Sequence, residues 1–494
     1  MRARFSAAVL LACMLPAVGA EEHSHPAPEK LGKVVFETSC SPQVDAAFNR
    51  AVALLHSFAY SASEEAFRSV ARTDPRCAMA HWGIALSYYH QLWDPPGAER
   101  LRQGMQEIDA ARRASTATPR ERKFIEAVAA YYQDSDRLPH ADRARAYEEA
   151  MASVSASYPA DNEAQIFYAL ALLSTAPPTD RTHGHQKHAA QILEPLYRKF
   201  PEHPGLAHYL IHAYDSSELA ASGLAPARAY SQLAPSAPHA LHMPSHIFTR
   251  LGLWDDSVAS NLDARRAAHD QGDIGEELHA MDYLTYAYLQ LGRFADAERI
   301  VRDAAAASSL AAGEFKIGYA ANAMPVRLAI EQGQWAAAAA LAPLANSSPQ
   351  VAAIVYWARA VGQVRGGHAQ SAAGELAKIG ECHEKLLAAG NGYWATQASI
   401  LEMEARAWIA ISAGDTEGGV ASMRTAADQE DAVEKLPVTP GPIVPAREQL
   451  GEMLLAAGRP AEALREFQAT LQGAPQRRGA LLGAAHAQES LRKL

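Results

Sequence analysis

The sequence predicts an all-α chain of stacked helical hairpins, and three observations carry that reading. Alanine recurs throughout, strand-like alternation is scarce, and glycines punctuate helical runs at recurring distances. With 494 residues, 49% hydrophobic and 20% charged, the composition is that of a folded chain, long enough for several domains or one extended repeat array. The formal charge is -10 and no lysine/arginine stripe interrupts it, so the chain lacks the positive footprint a nucleic-acid partner requires.

The N-terminus reads "MRARFSAAVLLACMLPAVGA". A basic start (Arg2, Arg4), a short apolar run and the small residues Val18-Gly19-Ala20 form the pattern of an export signal cut after Ala20. Cys13 leaves a lipoprotein reading open, although Leu11 and the short apolar run fit lipid attachment poorly. No other apolar stretch approaches the ~20 residues a spanning helix needs. The expectation is a mature chain that is periplasmic or secreted. Residues 21–44 read as a flexible leader. Cys40 and Cys77 either form a disulfide that closes the N-terminal region or stand as unpaired buried thiols. With Cys382 they contain no Cys-x-x-Cys pair, so thiol redox chemistry has little support.

Residues 45–235 hold irregular hairpins. One of them, "AFRSVARTDPRCAMAHWGIALSYY", carries Asp74-Pro75 between its helices. A Pro/Gly/His-containing break at 174–190 reads as a loop that could cap a concave surface. Residues 236–434 hold the clearest units, "HALHMPSHIFTRLGLWDDSVASNLDARRAA" and "HAMDYLTYAYLQLGRFADAERIVRDAA". Each begins with His, runs to Leu-Gly, turns, and starts a second helix. His239 and His279 stand equally far before Gly252 and Gly292. Residues 435–446 form a Pro-rich loop, and 447–494 a final repeat and cap.

These units resemble the tetratricopeptide repeat superfamily. The resemblance rests on small residues at helix crossings, an aromatic after the turn glycine (Trp254, Phe294, Trp335) and alanines such as Ala297 and Ala463 in second helices. It implies a right-handed superhelix whose first helices line the concave face. One hairpin cannot bury its own apolar face, whereas stacked neighbours can.

Three consecutive first helices then repeat a polar rib. His208, His212 and Asp215 lie on the first, His239, His242 and His246 on the second, and His279, Asp282 and Tyr286 on the third. Residues three and four apart share a helical face, and packed helices sit ~8–10 Å apart, so these side chains can converge on one hollow. Imidazole and carboxylate suit copper, iron or zinc, and the absence of thiolates argues against a sulfur site. Eight candidate ligands exceed one tetrahedral shell. One or two ions per chain follow, with the aspartates either bridging or holding histidine tautomers. His56 and His90 are expected to face the hollow near its rim, with Trp82 and Tyr89 as walls. Together with Arg250 and Tyr286, His56 and His90 are the candidates for orienting substrate or moving protons. His183, His185 and His188 read more as a surface cluster than as ligands, and His81 as a core or hydrogen-bonding residue.

The functional expectation is an exported metalloprotein, leaning toward a metal-dependent enzyme, with neither hydrolysis nor oxidation selected. No His-Glu-x-x-His, Gly-x-Ser-x-Gly or phosphate-loop motif selects a reaction. The rival expectations are metal storage or transport, and a repeat scaffold binding a small-molecule, peptide or protein partner in its groove. In the scaffold reading Arg250 and Arg327 would take a partner's carboxylate. Ala323, Arg327, Trp357 and Glu404 are expected to face the second half of the groove. A homodimer is compatible with either reading.

Overall fold

The structure is a computed structural model that describes residues 29–92, 94–114, 116–307 and 314–493. The expected signal at 1–20 lies outside them. Among the described residues the chain is entirely helical, apart from one isolated bridge between His90 and Asp94. Each helix packs on the next, and first helices also pack on the first helix of the following hairpin: Ile274–Gln290 on Phe315–Glu331, Phe315–Glu331 on Pro349–Arg365, and Pro349–Arg365 on Gly392–Ser412. That double contact is the signature of stacked tetratricopeptide-like hairpins. Among the described residues, no helix is long and apolar enough to cross a membrane.

The turn glycines have a steric reason. Gly252 sits at φ 68, in the left-handed region, and the following amide (Leu253) bonds back to the Phe248 carbonyl at 2.8 Å. A Cβ there would also lie 2.3 Å from the Pro475 carbonyl oxygen, because the C-terminal hairpin docks on this turn. The docking is extensive. Trp254 Nε1 donates to Gln476 O at 3.0 Å, and helix Arg478–Arg492 packs on Ile274–Gln290. The chain therefore folds back on its own middle.

Two expectations change here. Residues 29–44 do not form a loose leader. Leu31, Val34, Phe36, Cys40 and Val44 are buried in a core that extends to Phe248, and the Cys40–Cys77 disulfide staples this segment to helix Ala78–Tyr88. Burial of five apolar side chains outweighs the ordering cost that a polar leader could not offset. The expected loop at 174–190 is a loop only from Ala176 to His183, because helix Asn162–Thr175 runs into it. From Gly184 the amphipathic run "GHQKHAAQILEPLYRK" forms a helix that buries Ala189, Ala190 and Leu193.

The Pro-rich segment is a loop, between helices Thr416–Asp431 and Ala446–Ala456, and it does not stay on the surface. It crosses the hollow. Glu434 N bonds Pro178 O at 2.7 Å, Leu436 N bonds the Tyr393 hydroxyl at 3.1 Å, and Arg327 holds Gly441 O, Pro442 O and Thr439 Oγ1 at 3.0–3.1 Å. Capping of the hollow falls mainly to this strap, whereas the sequence had pointed to 174–190 as the possible cap.

Candidate metal centre

Six histidines meet where three inner helical segments adjoin: Pro204–Ala213, the broken segment Pro238–His242 with Pro244–Leu251, and Ile274–Gln290. All six are buried, His212 the least at 9% exposure. They fall into two triads, His208/His212/His239 and His242/His246/His279, and within each the ligand nitrogens lie within 4.8 Å of one another. Spacing of four residues aims His208 with His212, and His242 with His246, along one face, and a neighbouring segment supplies the third ring. The triads adjoin, with ring centroids 5.9 Å apart for His212 and His246 and 6.0 Å for His239 and His242. Sequence reading had one helix over 239–252. Pro244, which has no N–H, breaks it after His242, and His239 and His242 end in different triads.

The surroundings hold the Nδ1 side of four of the rings. His208 Nδ1 lies 2.6 Å from the His56 carbonyl, His239 Nδ1 3.2 Å from Glu276 Oε2, and His246 Nδ1 2.9 Å from Asp215 Oδ2. Each of those partners is an acceptor, so each Nδ1 carries the proton. His242 Nδ1 lies 2.7 Å from Asn261 Oδ1, and the Asn261 amide nitrogen donates to Ser257 O, which fixes Oδ1 as the acceptor. Nε2 is therefore the lone-pair nitrogen of His208, His242 and His246. Burial pushes the pKa of His208, His212, His242 and His279 well below the ordinary imidazole value, and that of His246 to about 4, so these rings are neutral near pH 7.

The consequence is a facing pair. His242 Nε2 and His246 Nε2 stand 3.0 Å apart, each with its lone pair toward the other. In the first triad, His208 Nε2 stands 3.1 Å from His212 Nε2. Two nitrogens on one ion at about 2.0–2.1 Å in tetrahedral geometry are about 3.3 Å apart. The donor set fits a metal ion, and the acceptors behind the rings are the outer partners that metal-binding histidines require.

The expected site residues separate into groups. Asp215 bonds His246, Arg250 Nε at 2.9 Å and Lys435 Nζ at 3.0 Å, so it holds a tautomer and belongs to neither triad. Burial opposes its charge, but Lys435 and Arg250 hold its pKa well below the carboxylate range. Asp282 is turned away and pairs with fully buried Arg327 at 2.9 Å, because the next first helix delivers a guanidinium to it. Arg250 bonds Asp215 and Glu434, and Arg327 bonds Asp282 and the strap, so both take carboxylates of this chain. Tyr286 packs on Trp254 and accepts from Arg477 at 3.3 Å, away from both triads. His56 does not face the hollow. Its ring is locked between Glu163 (2.9 Å) and Tyr209 (2.9 Å), and only its carbonyl reaches His208. His90 is partly exposed and stacks on Tyr60 at 4.1 Å, two rings from the first triad through Phe58. His183 pairs with Glu218, His188 packs its ring edge-on to Tyr168, and His81 bonds Glu107.

Sequence reasoning missed Glu276, Asn261, Lys435 and Tyr283, and also a third cluster in which Glu163 joins His56 and His203 at 2.9 Å each. Glu276 carried a usable signal, standing three residues before His279 on the same rib. Asn261 lies on a second helix and Lys435 on the strap, where rib periodicity gives no warning.

Three cavities flank the strap. One of about 110 Å³ runs between Leu92, Leu173, Pro178 and Leu436 and ends on His212 and Asp215. Another, about 490 Å³, is lined by Arg250, Tyr286, Glu430, Lys435 and Arg447 and does not touch the triads. Trp357 and Glu404 border the third, which Thr439, Gly441 and Pro442 of the strap also line.

No protein-family model matches the sequence, and no curated protein matches it. Solved structures similar in outline include a human IFIT1 dimer with m7Gppp-AAAA, at 10% identity and TM-score 0.42 over 84% of this chain and 90% of that one. Yeast Tom70 aligns at 10% identity and TM-score 0.31 over 90% and 88%. The TPR domain of P58(IPK) aligns at 10% identity and TM-score 0.23 over 91% and 99%. At these scores the likeness adds nothing to the chemistry of the site. The all-α, tetratricopeptide-like hairpin fold stands on its own packing.

Proposed function

We propose that this chain is an exported metal-binding repeat protein whose buried hollow holds one transition-metal ion, copper, iron or zinc, in each of two adjacent tri-histidine centres. The observation that carries the reading is the His242–His246 pair. Both Nδ1 atoms are committed to acceptors, both Nε2 lone pairs face each other at 3.0 Å, and a cation between them turns that repulsion into two bonds. The Cys40–Cys77 disulfide supports an oxidising compartment and so agrees with export.

Three protein ligands per ion leave a further coordination position, the condition for activating water or binding a small molecule. The route of about 110 Å³ that ends on His212 limits a co-substrate to a few heavy atoms. Asp215, Lys435 and Arg250 would fix charge and hydrogen bonds at that end. Catalysis on a small molecule is therefore the form of activity this reading takes. The second reading is a repeat scaffold for a peptide or protein partner, or a metal store. It keeps the same hairpins and requires that the strap at 434–443 give way, because that segment lies along the groove.

Elemental analysis of the purified full chain tests the metal reading. The expected result is two equivalents of copper, iron or zinc, of which a His242→Ala/His246→Ala variant loses one. Metal-free protein that refuses reloading would move the reading to the scaffold.

A further inference from the structure

Tyr283 follows His279 by four residues on helix Ile274–Gln290, and its ring contacts every histidine of the second triad. Ring centroids are 4.6 Å from His242, 5.1 Å from His246 with the planes stacked, and 5.4 Å from His279. The side chain is buried at 1% exposure. Its hydroxyl oxygen lies 3.5 Å from His246 Nε2, 3.2 Å from Thr439 O and 3.4 Å from Pro437 O.

Those three neighbours are all acceptors. Two are strap carbonyls, and His246 Nε2 is the lone-pair nitrogen because Asp215 fixes the proton on Nδ1. One phenolic proton thus serves three acceptors, and these hydrogen bonds bring no donor to the oxygen's own lone pairs. Along the His242–His246–Tyr283 line the spacing is that of neighbouring ligands on one ion. The Nε2–Nε2 distance of 3.0 Å and the oxygen–Nε2 distance of 3.5 Å bracket the about 3.3 Å expected for two donors in a tetrahedral shell.

We propose that Tyr283 supplies the fourth ligand to the ion held by His242, His246 and His279, as a phenolate. The O–H bond breaks on binding, the proton leaves to solvent, and the oxygen's electron pair fills the remaining coordination position. The inference rests on the metal reading above and refines it. The second centre is closed by protein ligands, whereas the first, whose His212 borders the small cavity, keeps the open position. The two centres then differ in role, with exchange and small-molecule binding confined to His208, His212 and His239. The strap contributes through Thr439 and Pro437, which orient the hydroxyl before the ion arrives.

The test loads the full chain with cupric ion and reads bound copper by elemental analysis, visible absorption, and resonance Raman excited in the visible band. Wild type is expected to show a phenolate-to-copper charge-transfer band with tyrosine ring modes. Tyr283→Phe is expected to lose both while still binding copper, and Tyr286→Phe, altered one turn away, to keep both. Copper-loaded wild type without phenolate ring modes overturns the inference and leaves the metal reading standing, and so does a band that survives in Tyr283→Phe. Wild type that takes up none of copper, iron and zinc overturns the metal reading itself, and wild type that takes up iron or zinc but no copper overturns the inference alone. If Tyr283→Phe fails to fold, a wild-type spectrum without phenolate modes still overturns the inference, and so does a band that disappears in Tyr230→Phe, altered beside His208, whereas a band that survives there supports it.

Discussion

Replacing Asp215 by Asn tests the polar frame that holds the histidines. The carboxylate bonds His246 Nδ1 at 2.9 Å, Arg250 Nε at 2.9 Å and Lys435 Nζ at 3.0 Å, with its side chain 6% exposed. Asn keeps the shape but removes a charge from between two buried cations. Breaking a buried ion pair costs roughly 3–5 kcal/mol. Two features hold this case to the lower end. Arg250 keeps Glu434 at 2.5 Å, and Lys435, already pushed down to about 8 by burial, can shed its proton. The expected loss at pH 7 is therefore ~3 kcal/mol. Unfolding entropy of about 2.1 cal/mol/K per residue gives about 1 kcal/mol/K over 494 residues, so the midpoint falls by about 3 °C. Metal affinity at the second triad falls ~10–100-fold, because His246 loses its carboxylate partner.

The sign of the pH dependence follows from Lys435. In wild type its folded pKa lies below the ordinary lysine value, so its contribution to stability is present above that value and lost as pH falls through about 8. Without Asp215 the folded pKa drops further. Between the two folded values the wild-type native state binds more protons, so the variant's deficit shrinks as pH rises toward 8. Scanning calorimetry at pH 6 and pH 9 with a competitive metal titration measures all three quantities. An unchanged midpoint and unchanged affinity, or a deficit that grows with pH, would refute the reasoning.

Glu404 is held well above the carboxylate range, by burial first and then by Glu430, itself raised to about 7. An acid raised in the folded state contributes stability that is present below its unfolded value and lost as pH rises. Glu404→Gln should therefore be more stable than wild type above pH 7, with a gap that widens with pH by up to about 1.4 kcal/mol per unit; chemical denaturation at pH 6, 7 and 8 reads it, and a gap that narrows counts against it. Replacing Cys40 and Cys77 by Ser opens a loop whose ends are 37 residues apart. The chain-entropy cost is about 4 kcal/mol, or about 4 °C in midpoint by the same conversion, and reduced wild type should match the variant.

The sequence by itself determined the helices, the hairpin rhythm and the histidine ribs. All three are local. A turn glycine such as Gly252 is dictated by one backbone conformation, and His208 with His212, or His242 with His246, share a face because an α-helix repeats every 3.6 residues. Helical phase also frames one miss: Tyr286 shares the rib count of His279 and Asp282, yet it is Tyr283, four residues after His279, whose ring reaches the second triad.

Only the tertiary structure decided which groups stand behind the rings. Glu276 comes from an inner segment, Asp215 from the turn just past the end of another, Asn261 from an outer helix, and Lys435 and Thr439 from a strap some 200 positions away. It also decided that Asp282 answers to Arg327 and that the chain's own Pro-rich segment lies where an extended partner would. The reason is physical. Buried charges and lone pairs must be met by whatever partner packing brings within hydrogen-bond reach, and that partner is set by the stacking of distant hairpins, a relation no local spacing encodes.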